Sequence, residues 1–272
     1  MSLFRREVAG LGCDMTSAPA PALALARPDP GGKPVSVVET GNAASLQALL
    51  AGGSRKPTHV RCSVAGGCSR WWSVDVPQQA ASLREVRQYA ALKFEELFGE
   101  PADTWVIRAD WRLDAASVCC AVPRVLIDAC NEFAASNSLR VVDVRPAELR
   151  LLERLKTLPG LRAARHVRVV VMLDRATAWW CEPGVGAVRA SSLRVDPLDP
   201  WPRVVQEVQR ARAVLPGRED DALDVHWCSA AVPAPPGVPG LRWTQHALPV
   251  PLPTAQERWD GITLAAAVGC LP

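Results

Sequence analysis

No stretch of this sequence reaches the roughly 18 consecutive apolar residues that a membrane-spanning helix needs, so no transmembrane segment is expected. The opening residues, MSLFRREVAGLG, carry no long apolar core followed by a cleavage site, and no signal peptide is expected either. The nine cysteines show no paired spacing, and Cys119 and Cys120 are adjacent inside an apolar segment. That pattern argues against a disulfide framework and for reduced, buried thiols in a reducing compartment. The formal net charge is only +3, which gives no electrostatic signature of a nucleic-acid or anionic-surface binder. The four histidines, His59, His166, His226 and His246, have neither H-x-x-x-H nor Cys/His metal spacing. Each lies in or beside an expected strand, and a structural role is expected for all four. No Cys/His nucleophile pair is recognisable, and Cys13 beside Asp14 reads as core. Gly184-Val185-Gly186 lacks the further glycine and helix of a dinucleotide fingerprint and reads as a hairpin turn.

What remains is a globular chain with enough apolar residues (49%, against 22% charged) for a substantial core, and long enough for two lobes. Its most legible stretch runs from Cys68 to Arg145. Cys68–Val76 is an aromatic, β-branched strand stopped by Pro77. Ser82–Phe98 has helical apolar spacing, with Ser82 and Glu85 forming an S-x-x-E capping box and Gly99 as its stop. Thr104–Ala109 and Ser117–Val122 read as a strand pair. Pro123 opens a helix over Arg124–Ala135, and Leu139–Val144 is a further strand. The order βαββαβ is that of a ferredoxin-like unit.

Before it, Val8–Thr16, Ala22–Ala26 and Val35–Glu39 read as strands, Ala43–Leu50 as a short helix and His59–Val64 as a fourth strand. Ala147–Leu158 is expected to be helical. From Val167 the order restarts: Val167–Leu173, Thr177–Cys181 and Gly186–Val195 as strands, a helix within Asp199–Leu215, then Leu223–Cys228. This is a repeat of element order, β-β-β-α-β, without a repeat of residues. A Pro-rich region, Val232–Pro253, holds one strand, Leu241–Gln245, and reads as a surface loop or linker. Ala255–Leu271 closes the chain as a small-residue helix. Of the ten tryptophans, Trp71-Trp72 and Trp179-Trp180 are adjacent in strands, so one of each pair must face away from its own core. A second packed layer would cover that face; a protein-binding surface is the other reading.

Two β-β-β-α-β halves with a unit set into the first is the element order of the actin-like ATPases. The segments VAGLGCDMTSA, SLREVRQYAALKFEELFG, VCCAVPRVLIDAC…LRVVDVRPAELRLL and DGITLAAAVGCLP resemble the bacterial branch that includes FtsA, the pilus assembly protein PilM and the secretion protein GspL. The resemblance implies an α/β, duplicated actin-like (ribonuclease H-like) fold with the βαββαβ ferredoxin-like subdomain inserted in the first lobe. The expected division is 1–66 plus 146–160 for the first lobe core, 67–145 for the inset and 161–272 for the second lobe.

In that family two Asp-headed hairpin turns hold Mg²⁺ and the phosphates of ATP. The resemblance places Asp14, Thr16 and Ser17 at the first turn, and Asp174 and Thr177 at the second. The turn glycines, which let backbone amides approach a phosphate, are missing. The adenosine-contacting Gly-Gly element is replaced by CSAAVPAPPGVPG. A vestigial nucleotide site follows, with no catalytic residue assigned and no cofactor expected; bound ATP/Mg²⁺ is the alternative. Each Asp is equally readable as a strand-end turn residue.

The resemblance further implies a cytoplasmic scaffold of a type IV pilus or type II secretion-like assembly platform, peripheral at the inner membrane. Its partner would be the cytoplasmic segment of a PilN-like single-span protein, held in a groove between the Ser82–Phe98 helix or its neighbouring strands and the 35–64 region. Self-association or a secretion ATPase are further partners to consider. The absence of a membrane span up to Pro272 favours the soluble pilus-type form. An active actin-like ATPase or small-molecule kinase is the alternative. An RNA-binding module is disfavoured, because the strands lack the stacking aromatics of such domains.

Overall fold

In the computed structural model, residues 8–14, 22–28, 34–38, 57–65, 67–76, 80–150, 166–172, 175–182, 186–196, 198–214, 222–229, 232–235 and 237–246 are described. The expected helices Ala43–Leu50 and Ala255–Leu271, and most of Ala147–Leu158, lie outside them.

The described residues form two units. In the first, β1 (Val8–Asp14), β2 (Ala22–Pro28), β3 (Pro34–Val38), β4 (His59–Val64) and β8 (Arg140–Pro146) make a five-stranded sheet in the order β3-β2-β1-β4-β8. β1–β2 and β2–β3 are antiparallel, while β1–β4 and β4–β8 are parallel. Ala9, Leu11 and Cys13 alternate along β1, and Val60, Cys62 and Val64 along β4, all fully buried. Helix α2 (Arg124–Ser136) packs on β1, β4 and β8. Its buried stripe is Leu126, Cys130, Phe133 and Ala134, the i, i+4, i+7, i+8 pattern of an amphipathic helix.

The second unit holds the other sheet and the inset. β9 (His166–Met172), β10 (Arg175–Glu182), β11 (Gly186–Arg194), β12 (Leu223–Ser229) and β13 (Leu241–His246) pair in the order β11-β10-β9-β12-β13. Again the first two junctions are antiparallel and the last two parallel. Order and direction therefore repeat between the two sheets, strand for strand. Val167, Val169 and Val171 of β9 and Val225 and Trp227 of β12 join Val204 and Val208 of helix α3 (Trp201–Val214) in one core.

The inset contributes β5 (Arg70–Val74), α1 (Leu83–Phe98), β6 (Trp105–Ala109) and β7 (Ser117–Pro123), with a three-stranded sheet ordered β5-β7-β6. Ser82 caps α1, its hydroxyl accepting from the Glu85 amide at 3.4 Å, while Glu85 Oε2 accepts from the Ala81 amide at 2.9 Å. Gly99 ends the helix at φ 68°, in the left-handed region that favours glycine. Its core is aromatic: Phe94 lies between Trp72 (5.3 Å), Phe98 (5.1 Å) and Trp105 (5.3 Å).

One expectation is corrected. The 139–144 strand was expected to close the inset as a sixth element, with the helix before it. Instead β8 runs parallel to β4, with Val60 opposite Val141 and the Arg140 amide donating to Thr58 O at 3.0 Å. The reason is that the first sheet needs a fifth strand to match the second, and α2 supplies the crossover that a parallel strand requires. The inset sheet is thus β-α-β-β, not ferredoxin-like. Among the described residues no helix is long and apolar enough to cross a membrane.

Candidate functional site

Parallel strands bring their carboxyl ends to one edge of a sheet, where open α/β folds place ligands. In the first sheet Cys13 of β1 is opposite Val64 of β4, and Val64 is opposite Pro146 of β8. Asp14, the last residue of β1, therefore sits at this edge. The Ala65 amide donates to Cys13 O at 2.7 Å, which fixes the start of the loop after β4. That loop carries Ser69, whose hydroxyl donates to Glu148 Oε1 at 2.8 Å, just past β8. Ser69 is 1% exposed and Glu148 2%, so a carboxylate is buried at the same edge that Asp14 ends. Glu148 was not singled out from sequence; the signal was an acidic residue two positions after a strand-ending proline. Arg150, one turn-half further on, donates to Cys62 O at 3.0 Å and pairs with Asp143. Behind this edge the Cys62 thiol is held neutral, its pKa pushed up by a hydrogen bond with Cys130 and by burial.

The other expected nucleotide residues divide. Thr16, Ser17 and Asp174 lie outside the described residues, as does most of the loop region expected to line the partner groove. Thr177 is described: it stands in β10, 3% exposed, with its hydroxyl 3.3 Å from Ser192 Oγ. Ser192 Oγ in turn accepts from the Trp71 amide at 2.8 Å. Thr177 is thus engaged in fastening the inset to the second sheet.

That fastening accounts for both tryptophan pairs. All four rings are buried. Trp72 and Trp180 enter the cores of the inset and the second sheet. Trp71 and Trp179, on the opposite faces, meet each other. The second-layer reading is the one the structure shows. Ser73 reinforces it, its hydroxyl accepting from the Ala190 amide at 2.7 Å.

Three of the four histidines, far apart in sequence, converge on the face of the second sheet opposite α3. His226 Nδ1 lies 2.9 Å from His246 Nε2, and the His166 ring stands edge-on to His226 with centroids 5.3 Å apart. Arg168 Nε donates to His166 Nε2 at 2.9 Å. Burial, then the neighbouring His166, push His226 down to about 4. Burial also lowers His246. Both imidazoles are neutral at pH 7. Among the described residues no group of three or more His, Cys, Asp or Glu is arranged to hold a metal ion.

No family model matches the sequence, and no curated protein does. Solved structures do. The cytoplasmic domain of EpsL, an inner-membrane component of the type II secretion system of Vibrio cholerae, matches with a TM-score of 0.53 at 12% identity, over 89% of this chain and 90% of that one. A Bacteroides thetaiotaomicron protein with an actin-like ATPase fold and unknown function matches with a TM-score of 0.50 at 11% identity, over 82% of each chain. A structure of the PilM–PilN type IV pilus biogenesis complex reaches 0.49 at 14% identity, over 96% and 97%, a likeness too weak to argue from. At these identities the likeness is one of architecture. Together with two five-stranded sheets that repeat order and direction, it establishes that this chain has the actin-like ATPase fold.

Proposed function

We propose that this chain is a cytoplasmic scaffold of a type II secretion or type IV pilus-like inner-membrane assembly platform. It binds the cytoplasmic segment of a PilN-like single-span membrane protein and is held at the membrane through that partner. The observation that carries the reading is the likeness to the EpsL cytoplasmic domain over nine-tenths of both chains. The choice of partner rests on the sequence resemblance described above. A degenerate nucleotide site is part of the proposal. Asp14-Met15-Thr16-Ser17 and Asp174-Arg175-Ala176-Thr177 offer no glycine for close backbone approach to a phosphate, and the Thr177 hydroxyl already sits against Ser192.

One observation favours the alternative, an active ATPase or small-molecule kinase. Glu148 supplies a buried carboxylate at the edge where Asp14 ends β1, the type of group that could orient an attacking nucleophile. The test is capture of the full chain by the immobilised cytoplasmic segment of a PilN-like single-span protein from the same organism. Stoichiometric retention, lost with a scrambled segment, supports the scaffold. No retention, with Mg-ATP turnover that Glu148→Gln abolishes, supports the enzyme.

A further inference from the structure

Arg168 presents an unusual electrostatic problem. It is 5% exposed, on the second sheet face opposite α3. Its one hydrogen bond is the 2.9 Å contact from Nε to His166 Nε2, and among the described residues no carboxylate pairs with it. A buried guanidinium without an anion is costly, and four of its five N–H donors remain to be satisfied. Among the described residues neither terminal nitrogen has a hydrogen-bond partner.

The imidazoles around it are linked to it and to one another. Because His166 Nε2 accepts from Arg168, its proton is on Nδ1. His226 Nδ1 and His246 Nε2 share one hydrogen at 2.9 Å, so the two rings cannot both be protonated in this contact. Among the described residues, the remaining charged and titratable groups on this face offer no anion to the guanidinium. Asp224 is committed to Arg242, at 2.7 and 3.1 Å. The Cys228 thiol is pushed up to about 12 by burial. Cys181 of β10, opposite His166 in register, donates to Trp179 O. A cation is disfavoured by Arg168 itself, which occupies the His166 nitrogen.

We propose that Arg168 and the His226–His246 pair form a binding site for a small tetrahedral oxyanion, either free phosphate or the phosphate of a monoester. The guanidinium supplies fixed charge and a planar donor fork. The His226–His246 pair takes up a proton as the anion arrives, so binding is tighter in mild acid. The site belongs to β9, β12 and β13 and is independent of the assembly reading above.

The test is an NMR titration of the full chain, following imidazole nitrogen resonances at constant ionic strength maintained with sodium chloride. Sulfate, whose charge is constant across the range, probes the proton coupling. Inorganic phosphate and glycerol 3-phosphate distinguish a free anion from an ester. Saturable shifts of His226 and His246, tighter for sulfate at about pH 6 than at about pH 8, are expected. His246→Gln, on the partly exposed edge strand, and Arg168→Lys should each weaken binding about tenfold. Shifts that chloride reproduces, or affinity unchanged in His246→Gln, would overturn the proposal. If Arg168→Lys does not fold, the wild-type titration and His246→Gln decide it.

Discussion

The Trp71 and Trp179 rings meet edge to face, with centroids 5.2 Å apart and planes at 77°. They are 108 positions apart by their numbers in the chain, one in the inset and one in the second sheet. Each is the member of an adjacent Trp pair that faces away from its own core, and both are buried where they meet. The inset, which interrupts the first half of the sequence, is therefore packed with the second half. This favours reading it as part of a shared platform over reading it as an appended module. Trp71→Ala should lower stability by about 3–5 kcal/mol, as for other buried aromatics truncated to alanine, measured by urea unfolding. Ser192→Ala, which removes the acceptor for the Trp71 amide, should cost about 1–3 kcal/mol.

The capping box of α1 gives a smaller, local effect. Ser82→Ala removes the hydroxyl that accepts from the Glu85 amide, at a cost of about 1 kcal/mol. The check is a lowered urea midpoint with an unchanged m-value.

His226 sets a pH dependence whose sign follows from its environment. Its folded pKa, about 4, lies below the ordinary histidine value of 6.5. The folded state therefore resists the proton that the unfolded chain accepts. This contribution to stability is fully present above pH 6.5 and is lost as pH falls from there toward 4. Because the ring is only half-buried, the loss should be about 1 kcal/mol and no more, after allowance for solvent screening. The melting temperature should fall by a few degrees in sulfate-free buffer over that range. His226→Gln should flatten the profile.

Burial pushes the Cys119 and Cys228 thiols up to about 12. Neither forms appreciable thiolate at neutral pH, and the thiolate is the reactive form. In the native chain both should escape iodoacetamide at pH 8 and become labelled once urea unfolds the protein, as read by peptide mass mapping.

Local pattern made much of this fold legible. The alternation in β1 and β4, the valine run of β9 and the Ser82/Glu85/Gly99 punctuation of α1 each state their own structure. So does the repeat of element order. What sequence could not show was which sheet a strand joins. LRVVDV has the same local pattern whether it closes the inset or extends the first sheet; only its parallel pairing with β4 decides. The same limit hid the site residues. Glu148 is one of several acidic residues in its segment until Ser69 is brought to it. His166, His226 and His246 become neighbours only once β9, β12 and β13 pair.

In the proposed function an actin-like fold holds a membrane partner and its nucleotide site is degenerate. The direct test is the melting temperature of the full chain with the partner's cytoplasmic segment, and separately with Mg-ATP. A ligand specific for the folded state adds about 2.7 kcal/mol at a hundredfold excess over Kd, or about 5 °C for a chain of this size. Such a rise is expected with the segment and none with Mg-ATP. A rise with Mg-ATP that Asp14→Ala removes, and none with the segment, would contradict the proposed function.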